Sequence, residues 1–351
     1  MRRPRLRAAL STLLLALIPV LGTASGATAA PRDTTPSTSL QISYHADMAV
    51  DAVNRRLYIA DIVTSSVLVT DFEGRVLRTL ENKPGAADLV LTPDARTLYV
   101  ALRDADAIAA VDTRTYQEKA RYPTGAGTKP VRLAAVGSTL WFSYGEDWDS
   151  NIGSLGLAGG KPVVRLAQVP SSTWGGPPML LSSPSAPGLL IAGEQYVSSG
   201  TVRVYDVTSG RPVVRTEQDN PGGISFVSDL ALSPDAGTLF IVGGYPYTHL
   251  AFRLSDLAVE HTYPTSNYPN AAAVSPTGSI AAGIDNSYGQ DVYLFEPRAT
   301  APTRVIDLEP GTGRSLRPHG LIWSPDGTRL FALTGEYGST LTLHVIGGGS
   351  Q

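Results

Sequence analysis

The chain of 351 residues contains no cysteine. That excludes disulfide stapling, thiol catalysis and lipid attachment at a leader cysteine, so stability has to come from buried apolar surface. Lysine is nearly missing too: among the 28 basic residues, only Lys83, Lys119, Lys129 and Lys161 are lysine. Long apolar runs are scarce. The stretch Ala8 to Leu21 falls short of the roughly 20 residues that span a bilayer, and no later segment is apolar enough to be a membrane helix. The sequence has no G-x-S-x-G, no P-loop and no phosphate-cradling glycine fingerprint.

The N-terminus has the layout of a signal peptide. Arg2, Arg3, Arg5 and Arg7 precede the apolar stretch, and Ala27-Thr28-Ala29 supplies small residues for cleavage before Ala30. Residues 1–29 are therefore expected to be removed and the product to be secreted and extracellular. Loss of those four arginines takes the formal charge from −3 to −7. A mildly acidic surface argues against nucleic acid and anionic membranes as partners. Residues 30–38 lack apolar periodicity and are expected to form a flexible leader. The glycine-rich end, residues 347–351, is expected to be a flexible tail.

What the chain does have is repetition. From Asp88 to Asp112 an apolar run (Leu89-Val90-Leu91) is followed by a turn (Thr92-Pro93-Asp94), a second run (Leu98-Tyr99-Val100) and a third ending at Val111-Asp112. The same order recurs from Met48, Leu89, Val131, Leu180, Leu230, Ala272 and Leu321. The second runs begin at Leu57, Leu98, Leu140, Leu189, Leu239, Ala281 and Leu330, between 41 and 50 residues apart. A period of that size with four short strands per unit predicts an all-β fold. It is a seven-bladed β-propeller over residues 39–346, built of four-stranded antiparallel blades. The runs are short, β-branched and aromatic, and Gly, Pro, Asp and Asn bound them, so helical repeats do not fit. Proline and Asp or Gly build the turns between first and second strands, and Asp71, Asp112 and Asp206 are read as Asx turns leading into fourth strands. The last repeat offers three strands. The fourth is expected from Leu40-Gln41-Ile42-Ser43-Tyr44, an N-terminal strand that would close the ring and remove the open sheet edges.

This pattern resembles the YVTN-type, WD-like and TolB-like β-propeller repeat family, as a secreted bacterial member rich in Arg, Ala, Gly and Pro. Tyr58-Ile59-Ala60-Asp61 and Tyr99-Val100-Ala101-Leu102 sit where the family's namesake tetrapeptide falls, and the Ser-Pro-Asp-Gly frame is best kept between Pro318 and Gly327. The third repeat departs most, with Ala134-Ala135-Val136-Gly137 in place of that turn. The resemblance covers about residues 40 to 346 and implies fold rather than activity, because such propellers host enzymes, sensors and scaffolds.

Candidate chemistry gathers on one face. The loops between second and third strands carry Tyr144, Glu146, Asp147, Trp148, Asp149, Glu194, Tyr196, Tyr245, Tyr247, Asp285, Tyr288, Glu336 and Tyr337. The loops between blades add Trp174, Tyr268, Asn270 and His319. Aromatic rings beside polar groups stack on sugars or grip an extended peptide. Asp147, Asp149 and Asn151 alternate as hard oxygen donors and are the candidate ligands for Ca2+. The glycine at Gly153 comes one place late for an EF-hand and no bidentate acid follows, so no cofactor is the primary expectation. His45 and His319 precede the first strands of adjacent blades, where Asp47, Asp88 and Asp229 would be near them.

The sequence reading is a secreted, monomeric, non-catalytic scaffold that recognises an extracellular protein, peptide or cell-wall polysaccharide through its loop face. The alternative is a lactonase-like propeller hydrolase or lyase with a metal or histidine at the channel mouth.

Overall fold

A computed structural model describes residues 35–195, 197–285, 289–336 and 338–347. The segment read as a signal peptide, most of that read as a leader, Tyr196, Tyr288, Tyr337 and the residues beyond Gly347 lie outside the described residues. The described chain forms seven sheets of four antiparallel strands, one per repeat. Strands A to D run outward from the axis. The A strands are His45–Asp51, Ala86–Leu91, Arg132–Val136, Met179–Leu181, Ser225–Leu232, Pro269–Val274 and Ser315–Trp323. Each B strand begins at or one residue before the position expected from the sequence, from Arg56 to Arg329.

Local chemistry explains the strand ends. In the A–B turns, Ser233 Oγ donates to Asp235 Oδ1 at 2.5 Å and Ser324 Oγ donates to Asp326 Oδ1 at 2.6 Å. The same hydroxyls accept the N–H of Thr238 and Arg329, which locks the hairpin. Blade three lacks that frame and turns in two residues, Gly137 and Ser138, with Gly137 at φ 59°. At the C–D turns, Asp71, Asp112 and Asp206 each accept the N–H two residues on, as Asx turns do.

Strands A to C are largely buried and strand D is largely exposed. The polar D strand Glu118–Pro123 shows why: a blade's outer edge faces solvent, while its inner strands pack between neighbouring blades. One core cluster joins blades one and seven through Leu40, Met48, Leu57, Ile59, Phe331 and Leu343, with Phe72 and Phe331 rings 5.3 Å apart. Each such aliphatic side chain contributes about 1.5–3 kcal/mol on burial.

The N-terminal strand differs from the expected one. The outer strand of blade seven is Ser37–Leu40, which pairs with His344 to Leu341, and not Leu40 to Tyr44. Residues 41–44 instead carry the chain from that outer strand to the inner strand of blade one, a span that a strand reaching Tyr44 would leave uncovered. Strand structure thus begins inside the segment read as a leader. Its polar Ser-Thr-Ser is held by backbone pairing and not by side-chain burial. Among the described residues no helix is long and apolar enough to cross a membrane.

Candidate functional site

The A strands line the central channel, and a repeated irregularity shapes them. In blades one, two, five and six the A–B register skips one residue, between His45 and Asp47, Ala86 and Asp88, Val227 and Asp229, and Pro269 and Ala271. A bulge of this kind re-aims the side chain that follows it. Asp47, Asp88 and Asp229 therefore leave the strand pleat and reach the next blade. Asp47 Oδ2 accepts Leu89 N at 3.0 Å, Asp88 Oδ2 accepts Leu133 N at 3.1 Å, and Asp229 Oδ2 accepts Ala272 N at 2.8 Å. Asn270 serves the next junction, with Nδ2 donating to Leu316 O at 2.8 Å. These acids are pins between blades.

Blade seven has the largest irregularity. Register jumps from Leu316 to Leu321, which leaves Arg317, Pro318, His319 and Gly320 bulged toward the channel. His319 holds φ 55°, an uncommon value for a residue other than glycine. Gly320 makes this possible by close approach: a Cβ there would meet Arg317 O at 2.5 Å. His319 Nδ1 lies 2.8 Å from Asp229 Oδ1 across the channel. Its Nε2 lies 3.2 Å from Arg132 Nη2 and 3.3 Å from Gln195 Nε2. Guanidinium and amide nitrogens only donate and the carboxylate only accepts. The ring therefore carries its proton on Nδ1 and presents Nε2 as a doubly engaged acceptor.

Below this layer a cavity of about 440 Å³ runs down the channel to the A–B turns at Pro93 and Pro184, with Asp47, Asp88, Arg132, Asp229 and His319 in its wall. Burial first, and then the charge of Asp88, hold the Asp47 carboxyl well above the usual carboxylate range; burial also raises Asp88. The two neighbouring carboxyls thus share a proton. His45 is also in the A strand and is buried. Burial, followed by the neighbouring His319 imidazole and the Arg317 and Arg132 guanidinium groups, pushes its proton affinity well below the ordinary value. Among the described residues no three His, Cys, Asp or Glu side chains gather so as to hold a metal ion. His45, Asp88, Asp229 and His319 share one region, but Asp88 and Asp229 are committed to backbone N–H groups.

The loop face divides into buried and exposed aromatics. Trp174, expected in the exposed set, is fully buried in the core between blades three and four, with Arg203 stacked 4.7 Å above its ring. Tyr144 is half-buried against Phe142, and its hydroxyl accepts Ala167 N. Glu194 is a buried brace that accepts the N–H of Gly175 and Thr201. Asn151 is likewise buried: Oδ1 accepts Ile152 N and Val169 N while Nδ2 donates to Val169 O. That clamp takes Asn151 out of the alternating oxygen set it shares in sequence with Asp147 and Asp149, which form a short 3-10 turn. These side chains turn inward because a long loop must satisfy its own backbone amides.

Trp148, by contrast, is 67% exposed, and Tyr245, Tyr247 and Tyr268 are exposed together. Tyr245 meets Tyr247 edge-on with centroids 5.7 Å apart, and Tyr247 meets Tyr268 edge-on at 5.0 Å. Phe226, absent from the sequence-based candidates, is a further exposed ring on the strand that pairs with Tyr245. It is 51% exposed, holds φ 54°, and precedes by one residue the strand position paired with Gly243. Arg132, Gln195 and Arg317 were also missed. Aligned repeats carry a signal for Arg132: it pairs with Ser143, the fourth B-strand position counted from Leu140, as Asp88 pairs with Ala101 and Asp229 with Val242.

No family model matches the chain. A stretch of 78 residues is 35% identical to eukaryotic translation initiation factor 3 subunit I of Drosophila pseudoobscura pseudoobscura, covering 22% of this chain and 23% of that protein. Among solved structures, the β-propeller domain of Myceliophteria thermophila Cps50 (Swd1) superposes with a TM-score of 0.66 at 14% identity, over 88% of this chain and 99% of that one. Kuenenia stuttgartiensis hydrazine synthase superposes with a TM-score of 0.66 at 15% identity, over 90% and 98%. Identities this low speak to fold alone. With the strand ladder, they show a seven-bladed β-propeller.

Proposed function

We propose that this chain is a non-catalytic binding propeller, exported through its N-terminal signal, that grips an extended segment of an extracellular partner on its loop face. The carrying observation is the aromatic ledge of Tyr245, Tyr247 and Tyr268, exposed and meeting edge-on, with Phe226 exposed on the adjoining strand, while Trp174 and Tyr144 of the same face pack inward. Exposed rings beside a left-handed Phe are a costly arrangement for a surface with nothing to bind. The 78-residue likeness to a translation initiation factor subunit fits a scaffold role. Peptide and cell-wall glycan are the two partner chemistries such a ledge accepts.

The test is to present the mature chain, and a Phe226→Ser/Tyr245→Ala variant, to peptide and cell-wall glycan arrays. Capture by the parent that the correctly folded variant loses supports the reading, whereas capture unaltered by the double substitution removes the ledge as the binding surface. N-terminal sequencing of the exported protein is expected to start at Ala30.

A hydrolase or lyase is the second reading, and the Asp229–His319 contact favours it. Against it, His319 Nε2 is occupied by Arg132 and Gln195, so general-base action needs both to withdraw.

A further inference from the structure

Above the Asp229–His319 layer, on the loop side, lies a second chamber of about 190 Å³. Its polar wall is Tyr44, His45, Arg132, Gln195, Arg317 and His319, and no carboxylate lines it. Arg317 is buried there, with its guanidinium 6.0 Å above the Tyr44 ring. Arg132 donates to Ala46 O and Gln195 Oε1, yet its Nε is buried without a hydrogen-bond partner among the described residues. His45 is 5% exposed, and neither of its ring nitrogens has a partner among the described residues. A buried imidazole left unbonded is destabilising, and a ligand that accepts from it would remove that penalty.

The charge balance selects the ligand. Two guanidinium groups and two imidazoles face the chamber, so a cation is repelled. Three acids lie just outside the wall: Asp229 contacts His319 Nδ1 from the channel side and accepts Ala272 N, and Asp47 and Asp88 line the cavity on the far side of Arg132, where their oxygens accept Leu89 N and Leu133 N. The rest of the wall is apolar, from Ile62, Ala87, Val131 and Pro318. A cavity of about 150 Å³ accommodates benzene, so this one has room for a ring of that size bearing a carboxylate.

We infer that this chamber binds a small organic carboxylate, with the carboxyl group between Arg132, Arg317 and the His45 N–H and the apolar body against Ile62 and Val131. The inference does not depend on the aromatic ledge. Arginine suits the role because its planar fork matches a carboxylate in two bonds.

Isothermal titration of the mature chain with benzoate, and with the neutral isostere benzamide, tests it. Benzoate is expected to bind and benzamide not to. Arg317→Gln is expected to weaken benzoate about tenfold or more, the usual effect of losing a charge-assisted bond. Because Arg317 is buried, His45→Phe is the second variant: it fills the chamber with an apolar ring and is expected to abolish binding while the thermal melt stays cooperative. Equal binding of benzamide, benzoate binding unaltered in both variants, or no benzoate binding at all would overturn the assignment.

Discussion

Two tryptophans on neighbouring loops, Trp148 and Trp174, meet opposite fates. Trp174 lies in the core with no exposed surface, under the Arg203 guanidinium, whereas Trp148 stands 67% exposed and touches Gly175. The same contrast divides the whole loop face. The channel wall, with Asp88 and Asp229 pinning one blade to the next, is committed to holding the ring together. The rim, with Phe226 and Tyr245, contributes little to packing and is left available to a partner. Residue type does not separate the two groups; what separates them is whether the loop's backbone amides and apolar gaps need the side chain for themselves.

The largest test of this contrast is the tryptophan pair. Trp174→Ala is expected to cost about 3–5 kcal/mol in denaturant unfolding, and Trp148→Ala less than about 0.5 kcal/mol. Equal costs would place both rings in the core. Next comes the pin. Asp88→Ala leaves the buried Leu133 amide without its acceptor, while Leu89 N keeps Asp47, and is expected to destabilise by on the order of 2 kcal/mol. Asp88→Asn keeps an acceptor and is expected to recover part of that loss.

A smaller effect should appear as pH dependence. Burial raises Asp291 to about 6, above the roughly 4 of an unfolded aspartate. A folded value above the unfolded one means stability that is fully present below about pH 4 and is lost as pH rises through about 6. Asp47 and Asp88 act in the same direction. Burial lowers His249 to about 4, so its contribution is present above about pH 6.5 and is lost as pH falls through about 4. Asp291→Asn is expected to reduce the loss of unfolding free energy between pH 4 and pH 7 by on the order of 2 kcal/mol, measured by urea titration at each pH. A slope identical to that of the parent chain would place the alkaline-side titration elsewhere. The smallest stability effect belongs to the rim: Tyr245→Ala is expected to shift unfolding by less than about 0.5 kcal/mol while removing ledge-dependent capture.

The blade count, strand order and turn chemistry were legible because they are local. Alternating apolar runs, Ser-Pro-Asp turns and Asx residues such as Asp112 carry their own hydrogen-bond partners within a few positions. The placing of the N-terminal strand was off by three residues because Leu40 and Ile42 are both buried, although only Leu40 is in the strand. The setting of Asn151 was hidden for a related reason: alternation in sequence does not reveal that the carboxamide clamps Val169. Phe226 was hidden inside an ordinary strand pattern, and Arg132 at a position where other repeats carry Asp.

The sequence by itself determined a seven-bladed propeller of four-stranded blades, since period, turns and alternation are written along the chain. Only the tertiary structure decided which loop rings face solvent, that Asp47, Asp88 and Asp229 are inter-blade pins, and that Arg132, Arg317, His45 and His319 meet in one chamber. Those groups lie up to 274 residues apart, as from His45 to His319. Their meeting depends on ring geometry and on the bulges that aim them, neither of which has a signature in any single repeat.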